Sequence, residues 1–469
     1  MTASEIATAV GGELHGDGDR LLSGSVETDS REISNGSIFV AMPGEVTDGH
    51  RFIRAAAEAG AALIIAERPL QDDESSLPHI VVESGLSALG ALAGEVVRRG
   101  REGGDLTIIA VTGSNGKTTT KNMLQAILEQ HGPTISPVKS FNNEVGGPMT
   151  MLRLEQDTRY LVLEMGASRV GDIASLIGMA KPDVGVVLKV GLAHAGEFGG
   201  VEMTERAKSE MVTELAPTGT AILNFDDERV RRMAELTDAS VLWFGTENET
   251  GLRAADIETT LDGTTFTLFS DDSVSAAGLP VTLGILGEHH VMNALAALAV
   301  TRALGLDLRR AADALAGMLR AERWRMELLR PASGAIVIND AYNSSPDSAR
   351  AALQTLAHLG RSSGRRSWAV IGEMAELGDV AVEEHDRLGR LVVRYGIDKL
   401  IVVGQGAKAA HIAAEAESSF GQDTVYVESA TEAQELLSTL GEHDLVLVKS
   451  SLSAGLKELG DAVGEQDEE

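Results

Sequence analysis

A glycine-rich segment, VTGSNGKTTT at 111–120, contains the residues best suited to chemistry. It follows the apolar run LTII at 106–109, so we expect it to join a buried strand to a helix. Such a turn directs several backbone N–H groups, and the positive end of the helix dipole, at one point. Lys117 adds a full positive charge for the β- and γ-phosphates, and Thr118 offers a hydroxyl of the kind that ligates Mg²⁺. The segment therefore predicts a site for a nucleoside triphosphate.

The spacing of this loop differs from that of the usual Walker A sequence. That sequence needs a glycine five residues before Gly116, and Val111 occupies the position. The loop has instead the shorter pattern Gly113-x-x-Gly116-Lys117-Thr118. A tight turn with an incidental lysine is the structural alternative, but the coincidence of strand, two glycines, lysine and threonine favours phosphate binding. The loop does not specify the reaction.

Three further polar residues follow strand-like segments downstream. Glu164 ends YLVLE, where a Walker-B-type acid would reach Mg²⁺ held by Thr118. His194 follows DVGVVLKVG, and Lys208 lies in ERAKSEM. Taken singly, these could be a solvated edge residue, a structural histidine and a solvent-facing lysine. Ligands of open α/β sheets bind beyond the carboxyl ends of the strands, so their shared position favours a common site.

Four more segments offer groups for a nucleotide or a substrate, and simple structural roles are the alternative. SFNNEVGGP could contact a phosphate or form an ordinary turn, and the start of GEHHVMNALAA could equally be a helix cap. WRMEL and VINDAYNSSPDS could hold a ribose and stack on a base, although NSSPDS is typical of a turn. The candidate residues are Asn142, Asn143, Asn293, Arg325, Asp340 and Tyr342.

Composition narrows the class of protein. The 469 residues contain no cysteine, which excludes disulfides and cysteine-based metal sites. The formal net charge of −30 argues against a nucleic-acid partner, since binding a phosphate backbone needs a basic surface. No apolar stretch approaches the length of a membrane span, and the N-terminus lacks the basic and apolar segments of a signal peptide. We therefore expect a cytoplasmic protein that does not bind membranes.

Strand-like runs alternate with helical stretches along the chain, which predicts an α/β protein of three domains. The first domain is expected at 1–103, with the charged, glycine-rich segment RRGREGGD at 98–105 as a linker. The second, at 104–321, contains the phosphate loop. The third, at 322–469, repeats a doubly wound pattern without a phosphate loop of its own.

Taken in order, these segments resemble the Mur ligases of peptidoglycan synthesis. The similar segments include TGSNGKTTT, FNNEVGGP, LEMGASRVGDIASL, GLAHAGEFGG, AKSE, GEHHVMNALAA, NDAYNSSPDS and GEMAELGD. The phosphate loop and AKSE are shared with folylpolyglutamate synthases. EMGASRVGDI, DAYNSSPDS and GEMAELGD are most similar to the members that add D-alanyl-D-alanine. DSRE and GSIFVAMPGEVTDGHRF resemble the family's N-terminal UDP-binding domain.

The resemblance implies a small N-terminal α/β UDP-binding domain, a central ATPase-like parallel sheet and a C-terminal Rossmann-like ligase domain. It also implies an ATP-dependent, ADP-forming ligase that acts through an acyl phosphate, with UDP-N-acetylmuramoyl-tripeptide and D-alanyl-D-alanine as substrates. The third residue of the tripeptide is left open, and we expect a monomer. The alternatives are an amino-acid-adding Mur ligase, a folylpolyglutamate-synthase-like ligase and, more remotely, a switch or transport ATPase.

Residue roles also follow from the resemblance. Thr118 and Glu164 would serve one Mg²⁺, and His194 and a carbamylated Lys208 a second, so the catalytic set is Lys117, Glu164, His194 and Lys208. The nucleotide would contact Gly113, Ser114, Asn115, Gly116, Lys117, Thr118, Thr119, Asn293, Arg325, Asp340 and Tyr342. The UDP-linked substrate would contact Ser30, Arg31, Gly44, Asp48, Asn142 and Asn143.

The chain departs from the family pattern at two places. Leu188-Lys189 stands where Thr-Asn is usual, and the late KGSR signature is reduced to Lys449-Ser450-Ser451-Leu452. The second change removes an arginine that could contact the incoming dipeptide. The site is therefore expected to be remodelled there, or another basic residue to substitute.

Overall fold

The computed structural model shows three β-sheets that follow one another along the chain, each packed against helices. The structure describes residues 1–44, 47–71, 76–138, 141–191, 200–271, 277–318, 323–417 and 423–464. The predicted α/β fold of three domains is confirmed. None of the helices within these ranges is long and apolar enough to cross a bilayer.

The first domain has a five-stranded sheet of order β1-β5-β4-β3-β2, in which only β1 runs antiparallel to its neighbour. Its strands are β1 (Glu13–His15), β2 (Val26–Glu27), β3 (Ile38–Val40), β4 (Leu63–Ala66) and β5 (His79–Val81). Its helices are α1 (Ala3–Val10), α2 (Ile53–Glu58) and α3 (Gly85–Glu102). Because β2 and β3 are parallel neighbours, the segments that follow them emerge at the same edge of the sheet.

The expected linker at 98–105 is largely wrong, because α3 continues to Glu102. Its last turns place opposite charges three and four residues apart, with Glu95 contacting Arg98 at 2.7 Å and Arg99 at 2.7 Å. Such pairs stabilise a helix, and they outweigh the presence of Gly100. Gly103 caps the helix, so only a few residues connect it to the next strand.

The second domain has a nine-stranded sheet of order β14-β13-β12-β11-β10-β9-β6-β8-β7. Its strands are β6 (Thr107–Thr112), β7 (Thr134–Ile135), β8 (Tyr160–Glu164), β9 (Val184–Val187), β10 (Thr220–Asn224), β11 (Ser240–Gly245), β12 (Leu252–Thr260), β13 (Gly263–Ser270) and β14 (Leu279–Leu283). The strands from β7 to β12 are parallel neighbours, whereas β12, β13 and β14 form an antiparallel extension that the sequence analysis did not anticipate.

Helices cover both faces of this sheet. They are α4 (Lys117–Leu128), α5 (Gly146–Met151), α6 (Asp172–Ala180), α7 (Val201–Thr213), α8 (Glu228–Arg232), α9 (His289–Ala303) and α10 (Leu308–Ala316). Apolar residues of α4, α9 and α10 form a core on one face, and those of α6 and α7 form a core on the other. The central strands are buried on both sides, as their continuous apolar runs predict.

The third domain has a six-stranded sheet of order β15-β16-β20-β17-β18-β19, in which β15 alone is antiparallel. Its strands are β15 (Glu327–Leu329), β16 (Ile336–Asp340), β17 (Arg366–Ile371), β18 (Lys399–Val403), β19 (Thr424–Val427) and β20 (Asp444–Lys449). Its helices are α11 (Pro346–Ser363), α12 (Ala381–Arg394), α13 (Lys408–Glu417), α14 (Ala430–Leu437) and α15 (Lys457–Gly464). Short 3₁₀ helices lie at Gly49–Phe52, Met233–Leu236, Gly378–Val380, Gln405–Ala407 and Leu452–Ala454.

Candidate nucleotide and ligation site

The phosphate loop connects β6 to α4, as the sequence predicts. Gly116 caps α4 with φ +86°, and a Cβ atom there would lie 2.2 Å from Asn293 Oδ1 of α9. The left-handed backbone favours glycine here, and the absence of a Cβ atom lets Asn293 lie close to the loop. The loop therefore packs directly against Asn293, one of the predicted nucleotide contacts. Lys117 Nζ donates to Gly113 O at 2.8 Å, which closes the turn.

The segment after β9 holds the first part of this loop in place. Ser114 N donates to Lys189 O at 2.8 Å, and Gly191 N donates to Ser114 Oγ at 2.8 Å. Ser114 is buried, so these bonds are shielded from water. Ser114 thus fixes the loop to the neighbouring strand, a structural role beside its predicted contact with the nucleotide.

Glu164 lies at the end of β8, opposite Val111 of β6 in the parallel register. Its Oε1 accepts a hydrogen bond from Asn142 Nδ2 at 2.8 Å. Its Oε2 is buried and has no hydrogen-bond partner among the described residues. An unsatisfied buried carboxylate oxygen is costly, and a hard cation such as Mg²⁺ would satisfy it. The residues present therefore fit a magnesium ion, with the buried Thr118 hydroxyl on the adjacent helix as a second oxygen.

Lys208 is not solvent-facing, since it is only 4% exposed on α7. Burial, and secondarily the positive charge of Lys117, lowers the pKa of Lys208 to about 7. The pKa of Lys117 is also lowered, mainly by burial, and Glu164 opposes that shift. Lys117 therefore lies close enough to Glu164 and to Lys208 to interact electrostatically with each of them. His194, the fourth member of the predicted set, lies outside the described residues. Within the described part of the chain, no three His, Asp or Glu side chains gather as a ready-made metal site.

A cavity of about 240 Å³ lies between the phosphate loop and the third domain. Predicted nucleotide contacts on its walls are Asn115, Gly116, Thr119, Asn293, Arg325 and Asp340. His289 and His290 also line it; burial lowers the pKa of His289 to about 4 and that of His290 well below its usual value. Both imidazoles are therefore neutral near pH 7, and the positive charge that faces the cavity comes from lysine and arginine.

The third domain contributes a buried ion pair that the sequence analysis missed. Asp340 and Lys449 end the parallel neighbours β16 and β20 at the same level, and Lys449 Nζ lies 2.8 Å from Asp340 Oδ2. Lys449 Nζ also donates to Asn343 O at 2.6 Å. A lysine that closes the apolar run LVLV was the available signal. The pair fixes Asp340, so this side chain is positioned before any nucleotide binds.

Arg325, in the segment that leads into β15, lines the cavity and contacts Tyr342, which is not itself part of the cavity wall. The Arg325 guanidinium lies 4.6 Å from the centre of the Tyr342 ring, which is stacked at 6.4 Å on Trp324. Trp324 and Met326 both have left-handed backbones, with φ of 59° and 49°. The Met326 amide donates to Asp340 Oδ1 at 3.1 Å. The strained segment 324–326 is therefore held by the carboxylate that also pairs with Lys449.

The altered late signature has a structural role. Ser450 and Ser451 are both buried, and the Ser451 hydroxyl accepts from the Ala375 amide at 2.9 Å. That hydroxyl also donates to Ser344 O at 3.4 Å. Ser451 therefore connects the loops that follow β16 and β17.

The residues expected to bind the UDP-linked substrate form two groups. Ser30, Arg31, Gly44 and Asp48 lie in the first domain in the segments after β2 and β3, and none of the four lines the cavity described above. Arg31 is 85% exposed and contacts Asp29 at 2.6 Å. The Asp48 side chain accepts from the His50 amide, which holds the pKa of that carboxyl at about 2.

The adjacent residues Asn142 and Asn143 have different partners in the structure. Asn142 reaches Glu164, whereas the Asn143 side chain accepts from the Gly146 amide at 2.9 Å and from the Val145 amide at 3.3 Å. Asn143 thereby stabilises the start of α5, and Asn142 alone faces the predicted metal site.

Three family models match the chain in succession. The model described as Mur ligase family, catalytic domain, matches residues 24–96. The Mur ligase middle domain matches residues 111–301, and the Mur ligase, glutamate ligase domain, matches residues 324–452.

Two curated relatives are similar over nearly their whole length. A protein of Mycobacterium leprae (strain TN) is 40% identical over 99% of this chain and 98% of its own. A protein of Escherichia coli (strain K12) is 32% identical over 99% of this chain and 98% of its own. Both are named UDP-N-acetylmuramoyl-tripeptide–D-alanyl-D-alanine ligase.

Solved structures are also similar over nearly the whole chain. A crystal structure of MurF from Acinetobacter baumannii has a TM-score of 0.87 and 30% identity, with 98% of each chain covered. The MurF ligase of Thermotoga maritima in complex with ADP has a TM-score of 0.80 and 29% identity, with 94% of this chain and 96% of that chain covered.

Proposed function

This chain belongs to the Mur ligase family, and we propose that it joins D-alanyl-D-alanine to UDP-N-acetylmuramoyl-tripeptide in an ATP-dependent, ADP-forming step of peptidoglycan precursor synthesis. The observation that best supports the proposal is that Lys117 of the phosphate loop interacts electrostatically both with Glu164, at the carboxyl end of β8, and with the buried Lys208 of α7. The names of relatives that match nearly the full chain support the choice of substrates.

In this proposal each of the three domains binds a different substrate. Residues 1–103 bind the UDP-linked substrate, residues 104–321 bind ATP, and residues 322–469 bind the dipeptide and close on the nucleotide. The order of the three sheets along the chain supports this division. The protein is proposed to act as a monomer in the cytoplasm, and its net charge of −30 argues against a nucleic-acid partner.

The reaction begins by activating a carboxylate, which is a poor electrophile. A carboxylate oxygen of the tripeptide attacks the γ-phosphorus of ATP, the bond to the β,γ-bridging oxygen breaks, and an acyl phosphate and ADP form. The backbone N–H groups of Asn115–Thr119 and the charge of Lys117 stabilise the phosphoryl group during transfer. Asn293, Arg325, Asp340 and Tyr342 hold the rest of the nucleotide between the second and third domains.

We propose that this site binds two Mg²⁺ ions. Thr118 and Glu164 would hold one, and His194 and a carbamylated Lys208 would hold the other. Bound Mg²⁺ would neutralise negative charge that develops on the transferred phosphoryl group. An ammonium would repel such an ion, so Lys208 is proposed to react as a neutral amine with CO₂, giving a carbamate and releasing a proton. Burial supplies the neutral amine, since the pKa of Lys208 is lowered to about 7.

The amide bond forms in the second half of the reaction. The neutral amine of D-alanyl-D-alanine attacks the acyl carbon, and a tetrahedral intermediate forms. Its nitrogen releases a proton, and its collapse breaks the bond to the phosphate oxygen and expels phosphate. The third domain presents the dipeptide, and Ser30, Arg31, Gly44, Asp48, Asn142 and Asn143 hold the UDP-linked partner.

One assay separates the candidate functions. The protein is incubated with ATP, UDP-N-acetylmuramoyl-tripeptide and D-alanyl-D-alanine, and the expected product is the UDP-linked pentapeptide detected by mass spectrometry. Tripeptides with diaminopimelate or lysine at the third position are supplied in parallel. Ligation of a free amino acid to a shorter precursor would identify an amino-acid-adding Mur ligase, and glutamylation of a folate would identify a folylpolyglutamate-synthase-like enzyme. ATP hydrolysis without any amide product would refute the ligase proposal.

A further inference from the structure

Glu210 joins two helices that carry different parts of the proposed site. It lies on α7 two residues after Lys208 and is buried. Its carboxylate accepts from the Gly171 amide at 2.5 Å and from the Ala174 amide at 2.9 Å. These amides belong to the first turn of α6, whose cap residue Gly171 has no side chain to accept them. Glu210 therefore caps α6 from a neighbouring helix.

The position of Glu210 relative to Lys208 indicates that Glu210 also affects the placement of Lys208. Two residues along an α-helix are about 200° apart around its axis, so the two side chains leave α7 on opposite sides. Glu210 is directed towards α6, and Lys208, on the opposite side of α7, lies close enough to Lys117 for that positive charge to lower its pKa. The Glu210 carboxylate thus attaches α7 to α6 on one side of the helix, while Lys208 lies on the side of the proposed metal site.

The first turn of α6 is itself close to the proposed metal site along the chain. Glu164 ends β8, and only seven residues separate it from α6 at Asp172. The bonds from Glu210 therefore connect the Glu164 segment and the Lys208 helix. A buried carboxylate that accepts two amides at a helix N-terminus is strongly held, because the hydrogen bonds are charge-assisted and the helix dipole favours negative charge there.

We propose that Glu210 is a positioning residue that fixes Lys208 at the metal site by clamping α7 to the first turn of α6. This inference rests on the proposed function, in which Lys208 serves a metal ion. Glu210 itself touches neither substrate nor metal in this proposal. Its two bonds keep the Lys208 amine at a constant distance from Glu164, so that both can serve the same bound phosphoryl group.

The chain offers a matched control in Asp172. The Asp172 carboxylate accepts from the Ser168 amide at 2.9 Å and from the Arg169 amide at 3.0 Å, in the loop that leads into α6. Asp172→Ala therefore removes two backbone hydrogen bonds, and the exposed contact with the Arg169 side chain, from the loop that leads into α6, without removing a bond to α7. Glu210→Ala removes two bonds and also separates the helices, and Glu210→Gln keeps an oxygen that can accept one of them.

Two measurements on the full chain test the positioning role. Hydrogen–deuterium exchange is followed over α6 and α7, and binding of Mn²⁺, used as a probe for Mg²⁺, is titrated by electron paramagnetic resonance in the presence of a non-hydrolysable ATP analogue. We expect Glu210→Ala to raise exchange over 201–213 at least about tenfold and to weaken Mn²⁺ binding at least about tenfold. Asp172→Ala should raise exchange only over 166–180 and change Mn²⁺ affinity less than about twofold. Glu210→Gln should recover most of the loss.

Equal effects of Glu210→Ala and Asp172→Ala on Mn²⁺ affinity would overturn the proposal, since Glu210 would then be a cap of α6 and nothing more. Wild-type exchange over α7 in Glu210→Ala would overturn it as well. If Glu210→Ala is unfolded by circular dichroism, Glu210→Met decides, because it keeps a long side chain that cannot accept the two amides: raised exchange over 201–213 with weakened Mn²⁺ binding supports the clamp, and wild-type exchange and Mn²⁺ affinity refute it. Failure of the wild-type protein to form the pentapeptide refutes the ligase function and leaves the exchange result standing.

Discussion

Lys189 of the second domain and Asp347 of the third domain face each other across the nucleotide cavity, with 3.9 Å between Nζ and Oδ2. Lys189 is one of the residues at which this chain departs from the family pattern. Asp347 lies in the first turn of α11, whose cap residue Ser345 contacts Asn115 of the phosphate loop at 3.4 Å. The start of α11 therefore rests on the phosphate loop, and the ion pair lies beside it.

We expect opposite effects on ATP affinity from neutralising the two partners. Lys189→Asn removes a positive charge from the cavity and should weaken ATP binding a few-fold, whereas Asp347→Asn removes a negative charge and should tighten it a few-fold. Both side chains are partly exposed, so each effect should be less than about 1 kcal/mol and should shrink at high salt. Titration calorimetry with a non-hydrolysable analogue at two salt concentrations measures both. Weaker binding in both variants would show that the pair holds the domains together instead.

Loss of Lys117 should abolish ligation. Lys117→Ala and Lys117→Met both remove the charge that faces the phosphates, and Lys117→Met keeps the apolar stem of the side chain. Removing one such stabilising group costs about 10²–10³ in kcat, and a full charge should cost at least that much. Turnover at saturating ATP measures the effect, with the melting temperature as a check on folding. Near-normal turnover in Lys117→Met would refute the assignment of the phosphate loop.

Lys208→Ala should be folded and nearly inactive, because a helix tolerates alanine well and the proposed carbamate is lost. Acetate should restore part of the activity by placing a carboxylate oxygen in the vacated space, and oxygen is the ligand that Mg²⁺ prefers. Removing bicarbonate should slow the wild type and leave the variant unchanged. Carbamate in the wild type is detected by ¹³C NMR after addition of labelled bicarbonate. Full activity of Lys208→Ala would exclude the role.

Stability should depend on pH through Lys208 when metal, nucleotide and CO₂ are absent. The pKa of Lys208 is lowered from 10.5 to about 7 in the folded chain. Below pH 7 Lys208 is protonated in both the folded and the unfolded chain. The folded chain then contains a buried positive charge, which destabilises it. Between about pH 7 and 10.5 only the unfolded state binds the proton, so the free energy of unfolding rises with pH, by on the order of a few kcal/mol.

Lys208→Met should remove this part of the pH dependence and raise stability at pH 7, because an apolar side chain replaces a buried amine. Urea unfolding of the wild type and Lys208→Met from pH 7 to 10 measures the difference. Parallel curves for the two proteins would show that Lys208 does not titrate in this range.

Arg31→Ala should raise KM for the UDP-linked substrate far more than KM for ATP. Arg31 is 85% exposed, so the substitution should leave the melting temperature unchanged. Arg98→Ala on α3 is a control, since Arg98 is an exposed arginine of the same domain that is also ion-paired. Equal increases in both KM values, or the same result from Arg98→Ala, would contradict a specific role for Arg31 in binding the substrate.

Much of the fold was predictable because the signals are local. Apolar runs such as YLVLE and GAIVIND became buried parallel strands, and the glycine loop before Lys117 became the expected turn between strand and helix. The antiparallel strands β12 and β13 also had a local signal, since Asp262-Gly263 is typical of a hairpin turn. The prediction of a linker at 98–105 was wrong for a local reason too, because charged residues there pair along a helix.

The sequence by itself determined the type of fold, the phosphate loop and the residue types available to the site. Tertiary structure decided what those residues do, because burial and pairing depend on segments far apart in the chain. Lys208 is buried because α7 packs against α6, β6 and β9, and Glu164 Oε2 lacks a partner among the described residues because Asn142 bonds the other oxygen and no described group reaches this one. Lys449 meets Asp340 because β20 inserts between β16 and β17 and places the two strand ends side by side, a register that no short segment encodes.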